Sequence, residues 1–137
     1  MENKLTKEDR ALLIKDLSAR LPYAVTVEHT NTGMRGTLRD LVVYCLYNDN
    51  DFVDDHICTT NFFGDGDYFY IEYFKPCLFP LSSMSEEQEK ECQQIKQSYY
   101  YDDDSFVLFD WYNKNHFDYR GLIEKGLAID ATGLNIY

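Results

Sequence analysis

The apolar positions change rhythm once within the first thirty residues. Leu13, Leu17 and Leu21 recur every four residues, with Ile14 widening the stripe, which is the period of an amphipathic helix. Thr6 followed by Asp9 has the form of a capping box, with Asp in place of the usual Glu or Gln. Pro22 ends the stripe, because its ring excludes a continued helix and pushes Leu21 towards extended backbone. From Tyr23 the period drops to two: Tyr23, Val25 and Val27 alternate with Ala24, Thr26 and Glu28, as in a half-buried strand.

The strand-like pattern persists to about residue 81. Asn31-Thr32-Gly33 supplies a turn, and GTLRDLVVYCLY is a β-branched and aromatic run that stops at the polar break from Asn48 to Asp51. DFVDDHICTT reads as a third strand, and Asn61 to Asp67, with Gly64 and Gly66, as a loop. DYFYIEYFKPCLFPL begins as a strand with Phe69, Ile71 and Tyr73 on one face. Pro76 and Pro80 bar it from being a central strand to its end. These runs predict a small, curled antiparallel sheet of four to five strands, of the kind that closes into an SH3-like barrel.

Helical rhythm returns after the sheet. Ser85 with Gln88 is a second capping box, and the glutamates after Ser85 favour the helix dipole. Cys92, Ile95 and Tyr99 give this helix a thin apolar edge, the mark of a surface helix loosely held. YYYDDDS breaks the pattern. The chain closes with FVLFDWYNKNHFDYRGLIEKGLAID, where Asp118 caps a short helix that Gly126 ends. The whole predicts an α+β fold in one domain spanning 1–137, with an N-terminal helix, the sheet, and two or three helical segments at the C-terminus.

Charge narrows the partners. Thirteen basic residues against 24 acidic ones give −11, so phosphate backbones and anionic membranes repel the chain, and no direct nucleic-acid or membrane partner is expected. The aromatic load of 12 Tyr, 9 Phe and one Trp points instead to an acidic, Tyr/Phe-rich surface that binds protein. MENKLTKEDR lacks the apolar stretch of a signal peptide, and no apolar run of about 18 residues is present. Cys45, Cys58, Cys77 and Cys92 form no CxxC pair. A cytoplasmic protein with reduced thiols is the expectation.

Catalytic chemistry has one candidate stretch, residues 113 to 130. There His116 could act as a base, Asp118 as its orienter and Arg120 as an anion clamp. A lone His without a nucleophile specifies no reaction, so the structural reading is preferred. In it Asp118 caps, Glu124 and Lys125 face solvent, and Trp111, Phe117, Leu122, Ile123 and Leu127 pack. Trp111, His116, Asp118 and Arg120 therefore stand as candidate interaction residues, with no catalytic set, cofactor or metal assigned. The acids Asp49, Asp51, Asp54, Asp55, Asp65, Asp67 and Asp102 to Asp104 read as solvated loops. DGDYFYIE has Phe69 where an EF-hand loop needs Asp or Asn. Two alternatives stay open. The first is a nucleic-acid mimic built on Asp49, Asp51, Asp54, Asp55 and Asp102 to Asp104, and the second is a small-ligand binder or enzyme with His116 or His56 in an aromatic pocket.

LSARLPYAVTV, IEYFKPCLFPLSSMSEEQ and DWYNKNHFDYRGLIEKGLA, in that order, resemble a family of small proteins of gut Bacteroidales, their prophages and mobile elements. The three segments cover about a third of the chain. Residues 28 to 67 have no counterpart, and Cys77 and Phe79 depart from the Tyr and Arg of the family pattern. The family carries no assigned activity. The resemblance implies a phage or mobile-element accessory protein, with a host or phage protein as its partner.

Overall fold

The computed structural model describes residues 5–48, 51–60, 68–98 and 105–137, with backbone alone at 42–48, 51–60, 68–69, 98 and 105. The chain is α+β and divides into two compact units, residues 1–77 and 78–137.

In the first unit, helix α1 runs over Lys7–Arg20 and starts where the capping pattern puts it: the Thr6 hydroxyl accepts the Asp9 N–H at 3.0 Å. Leu13 and Leu17 are buried, and so are Asp16 and Arg20, one turn apart. Arg20 grips the Asp16 carboxylate with two hydrogen bonds of 2.8 and 3.1 Å, so one charge satisfies the other away from water. Helical backbone does not stop at Pro22. Leu21–Tyr23 form a 3-10 turn with Pro at its second position, and Ala24 then takes a left-handed φ of 55° that breaks the helical path. Tyr23 is therefore no part of the strand that the alternation predicts. That strand, β1, is Thr26–His29, preceded by buried Val25 and continuing the alternation at Val27 and His29.

Gly33, at φ +72°, turns the chain into β2, Arg35–Asn48, which pairs antiparallel with β1 and then with β3, Asp51–Thr60. The β2–β3 register slips by one residue between Leu38 and Asp40, a bulge at Arg39. β4, Tyr68–Tyr70, adds to β3. A 3-10 turn at Ile71–Tyr73 comes next, so Ile71 and Tyr73 do not share a strand face. Ile71 is buried and Tyr73 is exposed.

The expected barrel does not form. Strand order runs linearly as β4-β3-β2-β1-β5, where β5 is Phe74–Pro80. Closure would need β4 and β5 to bond as neighbours. The turn at Ile71–Tyr73 instead carries the chain from one edge to the other, beside β1. Pro76 is accommodated there without loss. The Thr30 N–H donates to the Tyr73 carbonyl at 2.8 Å, which sets the ladder on Tyr73 and Lys75, and Pro76 falls at a position where β1 asks for no N–H. β5 thus has β1 beside Phe74–Pro76 and β6 beside Phe79 and Pro80.

In the second unit, the end of β5 at Phe79 and Pro80 pairs in parallel with β6, Phe117–Asp118, and β7, Ile129–Asp130, also joins β5. A parallel pair requires a crossover connection. This one contains α2, Glu86–Ser98, and α3, Ser105–Lys114. Both halves of the capping box at α2 are made: Gln88 N–H to the Ser85 hydroxyl at 3.1 Å, and Ser85 N–H to the Gln88 side chain at 2.9 Å. Nor is α2 loosely held. Trp111 Nε1 donates to Glu91, and buried Cys92 meets the Tyr112 hydroxyl.

The short helix expected after Asp118 is absent, and residues 122–126 form turns. Gly121 at φ +74° and Gly126 at φ +75° bracket the segment, and left-handed backbone at Gly121 denies a helix its first turn. Asp118 caps nonetheless, since its two carboxylate oxygens accept the N–H groups of Leu122 and Ile123, both at 2.9 Å. The docking residues behave as expected: Phe117, Leu122 and Leu127 are buried, while Trp111 and Ile123 are partly covered.

Candidate functional site

Helix α3 is the centre of an aromatic assembly within the second unit. Its inward side carries Tyr112, which packs with Cys92 and Phe117 at the middle of a cluster that Phe79, Met84, Leu108, Trp111 and Tyr119 complete. Rings then touch in succession. Phe109 stacks on Tyr119 at 5.1 Å, Tyr119 on Tyr112 at 5.3 Å, and Tyr112 meets Trp111 edge-on at 5.8 Å. Trp111 stacks on Phe117 at 5.6 Å, and Phe79 links Phe117 to Tyr137. Such ring pairs hold their geometry through quadrupole contacts as well as burial. Offset and edge-on pairs of this kind make the assembly a rigid platform.

The outer edge of the platform is open. Phe106 is 75% exposed and Phe109, one helical turn on, is 41% exposed. Their spacing of three puts both on the same side of α3. Beside them Arg120 lies over the Tyr119 ring, 4.7 Å from its centroid, and also donates to the Tyr119 hydroxyl at 2.9 Å. Arg120 is therefore a flat cationic cover on Tyr119. That is a different task from the anion clamp the sequence allowed.

The proposed base and its orienter are not brought together. Asp118 gives both oxygens to backbone N–H groups. The His116 ring stacks flat on Tyr137, with centroids 3.6 Å apart, at a residue whose φ of 62° is left-handed. His116 lies just past the end of α3 and is half-buried, so it is a packed side chain. The second unit also has an open groove of about 750 Å³ along α2, between Met84, Cys92 and Tyr112. No histidine lines it. Burial, reinforced by the neighbouring Cys92, pushes the Tyr112 phenol up to about 12, so it remains a protonated donor at neutral pH. This groove does not bring His116 beside a carboxylate, and the His56 side chain lies outside the described ones.

Of the acids considered for mimicry or metal binding, Asp49, Asp65, Asp67 and Asp102 to Asp104 lie outside the described residues, and Asp51, Asp54 and Asp55 sit on β3. Among the described residues no three His, Cys, Asp or Glu side chains gather as a metal site, and no helix is long and apolar enough to cross a membrane.

Sequence reasoning placed Trp111 correctly in the packing of this unit but overlooked Phe106 and Phe109. The signal was present. In SFVLFDWYNK the spacing of Phe106 and Phe109 differs in phase from that of Leu108 and Tyr112, which implies aromatic residues on both sides of the helix. Comparison of the chain with family models, with curated proteins and with solved structures finds no match.

Proposed function

We propose that the chain is a non-catalytic protein–protein interaction module, an accessory protein of a bacterial phage or mobile element, acting in the cytoplasm. The observation that carries the interaction reading is the pair Phe106 and Phe109, exposed on one side of α3, with Phe109 backed by the stacked rings of Tyr119 and Tyr112. Rigid aromatic anchors are what interface centres use, because they lose little entropy on binding and remove much apolar surface from water. The −11 charge keeps such a surface soluble and favours a partner with a basic rim around an apolar pocket. The phage or mobile-element setting rests on the family resemblance alone.

A photo-crosslinking residue at position 106 tests the reading, with the same residue at exposed Glu124 as control. In bacterial cells that carry the protein, position 106 should give one discrete adduct that Phe109→Ser abolishes, and position 124 should give none. Adducts that are equally diffuse at both positions would remove the basis for the reading.

A further inference from the structure

Strand β2 is far longer than the strand that covers one of its edges. β1 pairs with Arg35, Gly36 and Thr37, and the Leu38 N–H still reaches the Val25 carbonyl at 2.9 Å. Beyond Leu38, among the described residues, no strand lies on that edge, whereas β3 accompanies the other edge as far as Asn48. The two strands run on together as a two-stranded ribbon. A ribbon of that kind is marginal in water by itself, and an open edge offers a row of backbone donors and acceptors to any strand that arrives.

The sequence of the ribbon says which edge invites company. Leu41 to Tyr47, LVVYCLY, is seven residues without a charge, a proline or a glycine. Proteins protect exposed edges with charges, prolines and bulges, and this stretch has none of these. An uninterrupted apolar run also places no charged side chain on either face of the ribbon beside that edge. The opposite strand of the ribbon differs, because β3 carries Asp51, Asp54 and Asp55 within five residues.

We infer that the free edge of β2 from Leu41 to Tyr47 pairs antiparallel with the same edge of a second copy of this chain, giving a two-fold symmetric dimer with a four-stranded β3-β2-β2-β3 sheet. Charge selects the edge, and the self-complementarity of an antiparallel pair of identical strands selects the second copy. Pairing two β3 edges would bring three carboxylates of one copy against three of the other, whereas pairing two β2 edges opposes no like charges within the run. Antiparallel pairing of identical strands is self-complementary and closes after two copies, so it makes a dimer and no filament. The two chains together carry −22, twice the −11 of one. Added salt therefore strengthens the dimer by screening the repulsion between copies.

The test combines mass and hydrogen exchange on the full chain. Light scattering after size exclusion should give twice the 16.2 kDa of one chain, with the dimer fraction rising with protein concentration and with salt. Amides of Leu41 to Tyr47 should exchange slowly at high concentration and lose that protection on dilution. Val43→Lys sets two like charges near the two-fold axis and should give a monomer with the far-UV spectrum of the parent. Should that variant fail to fold, the concentration dependence of exchange in the parent decides. A parent that stays monomeric at all concentrations overturns the inference, as does a dimer whose protected amides lie outside Leu41 to Tyr47.

Discussion

Phe117→Ala would remove the ring at the centre of the second unit. Phe117 is 1% exposed, and three partners hold it: the stacked Trp111 at 5.6 Å, Phe79 at 6.3 Å, and the Cys92–Tyr112 pair of the same cluster. None of these can collapse into the gap without unstacking from another ring, so the cavity persists, and the cost belongs at the upper end of the about 3–5 kcal/mol typical of such truncations. Ordinary domains are held by only about 5–15 kcal/mol. At roughly 3–5 °C per kcal/mol for a chain of this length, the melting temperature should fall by about 15–25 °C. Trp111 is the single tryptophan of the chain and lies against the mutated position, so a melt followed by its fluorescence reports on this cluster directly. His116→Ala is the comparison. It loses one stacked ring pair with Tyr137, worth about 0.5–1.5 kcal/mol, and should melt only a few degrees below the parent. A Phe117→Ala protein that melts within about 1 kcal/mol of the parent would show that the ring stack neither holds the unit nor makes a rigid platform.

Two further perturbations act on the first unit. Asp16→Ala strands the buried Arg20 guanidinium and should cost about 3–5 kcal/mol in chemical denaturation, whereas Asp16→Leu with Arg20→Met should recover most of the loss; a double variant no better than the single would mean the pair is not the source of the cost. Burial of His29 beside Tyr73 and Phe74 lowers its pKa below the ordinary 6.5. Between the two values the unfolded chain binds more protons than the folded one, so this contribution to stability is full above about pH 6.5 and is lost as pH falls through the lowered value. Melting temperature should therefore drop from pH 7.5 to pH 5 by more in the parent than in His29→Gln, and equal drops would acquit His29.

The sequence was most legible where a local rule acts alone. Thr6 and Ser85 start their helices because a side-chain oxygen three residues from a backbone N–H needs no help from the rest of the fold. Asp118 shows the limit of such rules. The carboxylate caps backbone donors as its type predicts, yet the segment after it is a turn, because Gly121 takes a left-handed φ that its lack of a side chain only permits. Ala24 and His116 are harder cases, since neither residue type announces positive φ and only the surrounding packing holds them there. Pro76 depends on something else. Whether a strand misses an N–H depends on which alternate residues the ladder uses, and that is a property of the register with β1. Phe106 and Phe109 went unread although their phase on α3 sets them apart from Leu108 and Tyr112, because phase separates the sides of a helix without saying which side meets solvent.

The bulge at Arg39 lets one strand serve two ladders that keep different time. Up to Leu38, β2 counts in step with β1, and from Asp40 it counts in step with β3 at a one-residue offset. Arg39 is the extra beat that reconciles them. A chain that lost this residue would have to abandon one count or the other, and the alternation of β2 beyond that point would invert relative to β1. Length at this position is therefore under tighter constraint than identity. Many side chains could stand at 39, but none could be left out.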